Sequence, residues 1–141
     1  MSEQQQGQQQ AMQQYQQIQQ QIEQVQDYIE QVEENIGETQ DTIDAVNDLE
    51  DVEEGSEILA PLGAGVSARA EITSTQEVVV NIGADTMEEV GLDRAEEVLN
   101  KKMDNLQDTQ EELQTTVEDL QQRMQQLQQQ LQQAQQEQQE Q

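Results

Sequence analysis

The residues that most often carry out chemistry in proteins are absent from this chain or poorly placed in it. It contains no cysteine and no histidine. This removes thiol catalysis, disulfides, the common zinc sites and the usual general base near neutral pH. Serine and lysine are present, but no spacing suggests an activated nucleophile. We therefore predict that the protein is not an enzyme, with no catalytic residues, no metal site and no cofactor.

Two motifs could still suggest a ligand. Residues 63–68 (GAGVSA) fit the pattern G-x-G-x-x-G/A after a strand, but a dinucleotide site needs a helix to follow, and an alternating strand pattern follows instead. The acidic run over residues 48–55 (DLEDVEEG) lacks the alternating ligand spacing and the glycine placement of an EF-hand. We reject the dinucleotide site and interpret the acidic run as a solvated helix end.

The charge of the chain limits its partners. The 141 residues carry 31 acidic and 5 basic side chains, a formal net charge of −26, so nucleic acid and anionic membranes should be repelled. No apolar run approaches the roughly 18 residues of a membrane span, and the polar N-terminus does not resemble a signal peptide. We expect a cytoplasmic protein. Its acidity indicates adaptation to high salt or, alternatively, a generally acidic or partly disordered chain.

Long heptad patterns predict the helices that make up most of the molecule. With 1% aromatic residues the chain has little material for a large core, which favours an extended or oligomeric protein. Apolar residues alternate at gaps of three and four, as along the seam of a coiled coil. The first seam comprises Tyr15, Ile18, Ile22, Val25, Ile29, Val32, Ile36, Thr39, Ile43 and Val46. The second comprises Leu99, Met103, Leu106, Leu113, Val117, Leu120, Met124, Leu127 and Leu131, with Gln110 interrupting it.

The ends of these helices and the residues beside their seams also carry predictions. Gly55 and Ser56 should stop the first helix, and Asp93 should cap the second, with Glu96 in a capping-box position. A polar residue such as Gln110 in a seam usually sets register and partner choice. The flanking e positions are mostly glutamine, which indicates either amide hydrogen bonds that survive high salt or low-complexity drift on solvated faces.

The region between the two helices predicts four short strands. Period-two apolar patterns over 57–62, 66–72, 77–82 and, more weakly, 86–90 are separated by glycine-containing turns or a polar link. Two hairpins with one apolar face and no aromatic anchor are marginal alone. We therefore expect the strands to meet strands of other chains in a shared sheet or barrel. The alternative is a self-contained small sheet packed on the helix bases.

Together these patterns predict a mainly α fold with a small β part: an antiparallel two-helix coiled-coil hairpin with two central β-hairpins that form an oligomeric β-barrel platform. We expect a disordered glutamine-rich N-terminus over 1–10, a first coiled-coil helix over 11–54, β-hairpins over 57–90, a second helix over 92–135 and a polar tail over 136–141.

The central stretch also resembles a known family. Residues 57–65 (EILAPLGAG) and 77–84 (EVVVNIGA), followed by a helix that carries Asp93, Arg94 and Ala95, resemble the alpha subunit of archaeal prefoldin (GimC), and the acidity suggests a halophilic archaeon. The resemblance implies a hexamer of two alpha and four beta subunits, in which six coiled coils project from a double β-barrel. It also implies an ATP-independent holdase that binds unfolded polypeptides at the coil tips and transfers them to a group II chaperonin.

Two groups of residues are the candidate sites. Apolar residues near the coil tips are expected to bind unfolded chains, although ordinary seam packing is the alternative for each of them: Ala11, Met12, Tyr15, Ile18, Met124, Leu127, Leu131 and Ala134. Apolar strand residues are expected to assemble the subunits: Ile58, Leu62, Val66, Ala68, Ala70, Ile72, Val78, Val80 and Ile82. Two other functions stay open, a structural coiled-coil spacer or tether without client binding and an autonomous binding domain.

Overall fold

A computed structural model describes residues 3–140 of the chain and confirms the predicted fold class, two long helices with two antiparallel β-hairpins between them in sequence. Met1, Ser2 and Gln141 lie outside the described residues. The elements in chain order are α1 (Glu3–Leu49), β1 (Glu57–Gly63), β2 (Val66–Glu71), β3 (Glu77–Gly83), β4 (Thr86–Gly91) and α2 (Leu92–Glu140). No helix in this range is both long enough and apolar enough to cross a membrane.

The chain forms two compact units. The first, which we call the terminal unit, comprises Met1–Asn35 and Leu106–Gln141. The second, which we call the hairpin unit, comprises Ile36–Asn105 and contains all four strands.

Helix α1 starts earlier and ends earlier than its sequence predicts. Residues 3–10, expected to be disordered, are helical, because glutamine and glutamate are good helix formers and only Gly7 weakens the segment. The helix ends at Leu49, six residues before Gly55. Residues 50–52 continue as turns whose amides bond three residues back, the last from the Val52 amide to the Leu49 carbonyl at 3.2 Å. Carboxylates crowd this stretch, and Glu50 takes the seam position that follows Val46.

Helix α2 begins at Leu92, so Asp93 lies inside the first helical turn and is not the residue that precedes the helix. Its carboxylate is still favourably placed, because the amides at a helix N-terminus carry partial positive charge. A nearby ion pair joins Arg94 and Glu97 at 3.1 Å on the exposed surface. The helix continues to Glu140, through the segment predicted to be a polar tail.

In the terminal unit the two helices run antiparallel. The Gln128 side-chain amide donates a hydrogen bond to the Tyr15 hydroxyl at 3.2 Å, and the Gln110 amide donates one to the Glu33 carboxylate at 3.3 Å. The same number of residues separates Tyr15 from Glu33 as separates Gln110 from Gln128, in opposite directions along the two helices. The half-buried Gln110 thus interrupts the seam with a polar contact to the other helix.

The hairpins close through tight turns with positive backbone φ angles. Gly63 pairs with Val66 around Ala64 and Gly65, whose φ angles are 49° and 81°. The second turn repeats this geometry at Ala84 and Asp85, with φ angles of 49° and 60°. Two central residues with positive φ are typical of the turns whose twist matches a β-hairpin.

The two hairpins are a structural repeat with a period of 20 residues. Each cross-strand pair in β1–β2 has a counterpart 20 residues later in β3–β4, and both hairpins have a register irregularity just before the turn. The backbone hydrogen bond at the open end of each hairpin repeats as well. The Ile72 amide donates to the Ser56 carbonyl at 2.9 Å, as the Leu92 amide donates to the Gln76 carbonyl at 3.2 Å. In sequence, EILAPLGA and EVVVNIGA share this spacing.

The core is small and follows the predicted seams. Among the described residues, the hairpin unit buries Thr39, Ile43, Ala95 and Met103, and the terminal unit buries Leu120. Four of these five belong to the heptad positions predicted from sequence. The exception, Ala95, lies in the first turns of α2 and is 1% exposed. The strands contribute no fully buried side chain to the core of the described chain.

Candidate functional site

Four of the nine apolar residues predicted to assemble subunits lie on the hairpins with exposed side chains: Ile58, Leu62, Val66 and Ile82. Leu62 and Val66, on either side of the first turn, are 69% and 58% exposed, and Ile82 is 56% exposed. Since paired residues share a face and successive residues alternate, Ile58, Ala68 and Ala70 lie on the face of Val66. Large exposed apolar side chains this close together are typical of a surface that meets another protein.

Not every predicted assembly residue is equally available. Ala68, Ala70, Val78 and Val80 are half-buried. Ile72 is also half-buried and lies just beyond β2, where its amide and carbonyl close the base of the first hairpin, the carbonyl accepting from the Gly55 amide at 2.8 Å. Ile72 therefore helps to define the hairpin, whereas the residues around the turns offer the larger open surface.

Three exposed apolar residues on the opposite strand faces were missed by the sequence prediction. Leu59, Val79 and Met87 are 68%, 61% and 65% exposed. For Leu59 and Val79 the missed signal was the unbroken apolar runs ILA and VVV near the starts of β1 and β3, because apolar residues in succession make a strand apolar on both faces. Both hairpins thus present apolar groups on two faces.

Charged groups border these apolar residues. Leu59 is paired directly with Arg69, and Val79 with Glu89. The Arg69 guanidinium lies 3.4 Å from the Glu57 carboxylate, with both side chains largely exposed. An apolar patch rimmed by charges favours a partner of matching shape and charge over indiscriminate contact.

In the terminal unit, seven of the eight residues predicted to bind unfolded chains line grooves. Met12, Tyr15 and Leu131 line one groove with glutamines; Ala11 and Ala134 line a second, with Leu131 again; and Ile18 and Leu127 line a third. Met124 is half-buried and lines none of these three grooves. Met12 is the most accessible of the eight, at 55% exposed, and the others are half-buried.

The third groove, which we call the glutamine groove, contains residues that the sequence prediction did not name. It has a volume of about 460 Å³. Half-buried Ile18 and Leu127 form its apolar part, and exposed polar side chains form the rest. Those polar side chains are Gln14, Gln17, Gln21, Arg123, Gln126 and Gln130.

The sequence did contain a signal for this groove, in the distribution of charge. No carboxylate occurs between Glu3 and Glu23 or between Asp119 and Glu137. Across these two carboxylate-free segments the single charged residue is Arg123, in a chain of net charge −26. Thirteen of the nineteen residues in 4–22 and eleven of the seventeen in 120–136 are glutamine.

The two motifs considered for ligands have other structures. Residues 63–68 form the first hairpin turn and the start of β2, so a strand follows the glycines as the alternation predicted. The acidic run forms the end of α1 and the turns after it. Within residues 3–140, no three carboxylates come close enough together to hold a metal ion.

Comparison with known proteins gives one matching family. Residues 18–137 match the model of the prefoldin family, described as prefoldin subunit. Three relatives are each named prefoldin subunit alpha. The one from Thermofilum pendens is 39% identical over 61 residues, which are 43% of this chain and 47% of the relative.

The other two relatives come from Halorubrum lacusprofundi and Haloquadratum walsbyi. They are 36% and 38% identical over 63 and 58 residues, covering 45% and 41% of this chain and 41% and 38% of the relatives. The chain thus matches less than half the length of each relative. A chain of the filamentous PFD from Methanocaldococcus jannaschii, determined by cryo-EM, has the same fold with a TM-score of 0.75 at 18% identity, over 82% of this chain and 95% of that one.

Proposed function

The chain belongs to the prefoldin family, and we propose from this premise that it is the alpha subunit of an ATP-independent holdase chaperone. In this proposal it assembles with beta-type subunits, binds unfolded polypeptides through the terminal unit and transfers them to a group II chaperonin. It acts in the cytoplasm, without a cofactor and without catalysing a reaction. The observation that carries the proposal is the exposure of large apolar side chains on both hairpins of a chain from this family.

The hairpins support the assembly part of the proposal. Two tandem hairpins leave strand edges and apolar faces uncovered, and pairing with strands of other chains would cover both. The 20-residue repeat gives the subunit two sites of matching geometry. A complex of two alpha and four beta subunits, built around β-barrels, would use each hairpin once.

The terminal unit supports the client-binding part. Its grooves combine flexible methionine and leucine side chains with many amides. Such surfaces suit weak contacts with chains of many sequences, because methionine adapts its shape and glutamine can both donate and accept hydrogen bonds.

Native mass spectrometry at high salt tests the assembly. The chain is measured alone and after mixing with a beta-type prefoldin subunit. We expect a hetero-hexamer with two copies of this chain. A folded monomer without partner preference would contradict the proposal and favour an autonomous binding domain.

A shortened chain containing residues 23–119 tests client binding. It lacks the carboxylate-free segments and keeps the hairpins. We expect it to assemble normally while losing most of its ability to prevent aggregation of a denatured protein. If the shortened complex protects the denatured protein as well as the intact complex, the assignment of binding to these segments is wrong. If neither complex protects it, a structural spacer is the better description.

A further inference from the structure

The glutamine groove combines features that favour one kind of unfolded segment. Its lining residues fall into two stripes with the same spacing, residues 14, 17, 18 and 21 on α1 and residues 123, 126, 127 and 130 on α2. Residues spaced by three, four and seven positions lie along one side of a helix. At about 1.5 Å per residue each stripe is roughly 10 Å long, which accommodates about three residues of an extended chain.

The polar groups of the groove lack hydrogen-bond and ion-pair partners among the described residues. Within the described part of the protein, the side chains of Gln14, Gln17, Gln21, Gln126 and Gln130 form no hydrogen bond with other residues. Each amide offers two N–H donors and a carbonyl acceptor. An extended, unfolded backbone carries the complementary set of donors and acceptors, one of each for every residue except proline.

Arg123 is the one basic side chain in the sequence of the terminal unit. Its guanidinium has no carboxylate within 4 Å among the described residues, even though Asp119 lies one helical turn away. The hairpin unit holds the other four basic residues, and two of them, Arg69 and Arg94, are already paired with glutamates.

The distribution of charge around the groove favours one chemical class of ligand. A carboxylate approaching most of this surface meets other carboxylates and is repelled, whereas in the glutamine groove it meets an unpaired guanidinium whose planar fork matches its geometry. A run of phosphates would gain one such contact and would still be repelled by a chain whose net charge is −26. The groove therefore favours a single carboxylate on a polypeptide over a nucleic acid.

We propose that the glutamine groove binds an extended segment of unfolded polypeptide that contains an acidic residue, with Arg123 pairing with the carboxylate and the glutamine amides bonding to the backbone. This inference rests on the proposed holdase function and specifies the chemistry of the client segment. Ile18 and Leu127 supply a small apolar contact beneath it.

Fluorescence anisotropy with short, unstructured peptides tests the inference on the assembled complex. The measurement uses the lowest salt concentration at which the helicity is complete, because salt screens an exposed ion pair. The peptides differ only at one central position, which is glutamate, glutamine, lysine or leucine. We expect the glutamate peptide to bind about two- to fivefold more tightly than the glutamine peptide, the range for an exposed ion pair. A leucine peptide that binds most tightly would overturn the inference in favour of a purely apolar groove.

Charge variants provide the matched controls. Arg123→Gln should abolish the preference for glutamate, and Arg123→Glu should transfer it to the lysine peptide. Arg94→Gln changes the net charge by the same amount in the hairpin unit and should leave the preference intact. A preference that survives Arg123→Gln, or that Arg94→Gln removes equally, would show that Arg123 does not pair with the carboxylate.

Two further measurements test the role of the glutamine amides and the dependence of this inference on the holdase function. A glutamate peptide methylated on its three central backbone nitrogens should bind several-fold more weakly, and unchanged binding would overturn the role of the amides. The same preparations are assayed for protection of a denatured protein. Protection without any charge preference defeats this inference alone, whereas absence of both protection and peptide binding defeats the proposed function as well.

Discussion

The hairpin unit and the terminal unit expose different chemistry, although both carry apolar residues. On the hairpins, large apolar side chains such as Leu59, Val79 and Met87 are more than half exposed, and charged residues pair directly with Leu59 and Val79. In the terminal unit the corresponding apolar groups are mostly half-buried between helices, and glutamine amides with one arginine provide the exposed surface around them.

This difference separates a surface suited to one partner from a surface suited to many. Burying the exposed hairpin side chains would contribute about 25 cal/mol for each Å² of apolar area, and the flanking charges would restrict which partner fits. Amides in a groove offer weaker contacts that any unfolded backbone can accept. We therefore infer that the strands determine assembly and that the helix segments near both termini determine binding of unfolded chains.

The largest effect should come from placing charges on the hairpin surface. In a Leu62→Asp, Ile82→Asp double variant, burial of two carboxylates would oppose assembly by several kcal/mol, so the hetero-hexamer should be absent from native mass spectra. Both residues lie at register irregularities next to the turns and are exposed, so the helicity of the subunit should not change.

A second double variant with the same added charge distinguishes an effect of position from an effect of net charge. Gln17→Asp and Gln130→Asp place the same two charges in the glutamine groove of the terminal unit, where we expect assembly to be unaffected. If both double variants assemble normally, the hairpins are not the assembly surface. If both fail, the effect comes from net charge.

The carboxylates should make the fold depend on salt. Lowering the salt from about 1 M to 0.1 M lengthens the Debye length from roughly 3 Å to 10 Å, so the repulsion within a chain of net charge −26 increases and helicity should fall. Replacing Asp108, Glu111 and Glu112, which lie together on α2, with their amides should move the midpoint of a circular dichroism titration to lower salt.

The control for the salt prediction lies in the carboxylate-free segments. Replacing Gln125, Gln129 and Gln132 with methionine, whose helix propensity is close to that of glutamine, leaves the net charge unchanged, and the midpoint should stay within error. Helicity that is complete at 0.1 M for the unmodified chain would contradict the role assigned to charge repulsion.

A pair of glycine substitutions should have a smaller effect, with opposite signs in the two units. Gly63 has a φ of 116°, and nothing lies within 4 Å of an added Cβ, so Gly63→Ala should destabilise the first hairpin by about 1–3 kcal/mol through backbone strain alone. Gly7 is helical and equally uncrowded, so Gly7→Ala should stabilise its helix by up to about 1 kcal/mol. Thermal unfolding of the complex measures the first change, and helicity measures the second. Equal effects of the same sign would contradict the assigned backbone geometry.

Much of the fold could be predicted because local patterns determine it. The strand starts at Glu57, Val66, Glu77 and Thr86 are those predicted, since glycine turns and period-two alternation mark them unambiguously. The seam was equally clear, and Thr39 and Ile43 are buried where the heptad places them. The resemblance to prefoldin alpha subunits is confirmed by the family match and by the names of the three relatives.

The helix ends and the exposed sites were harder to predict. The end of α1 at Leu49 coincides with the end of the heptad seam, since Glu50 takes the next seam position after Val46, whereas the prediction placed the helix stop at Gly55 and Ser56. Leu59 and Val79 were missed because a search for alternation on one face ignores apolar residues on the other. Arg123 was missed because it stands out only when two carboxylate-free segments, residues 4–22 and 120–136, are considered together, and these are distant in sequence.

Photo-cross-linking from two methionine positions tests the separation of assembly from client binding most directly. A photo-reactive amino acid replaces Met12 in the terminal unit or Met87 on the second hairpin, two side chains of similar exposure at 55% and 65%. Each variant is assembled with beta-type subunits, mixed with a denatured protein and irradiated. We predict that position 12 cross-links to the denatured protein and position 87 to another subunit. Cross-linking of the denatured protein from position 87 but not from position 12 would contradict the account.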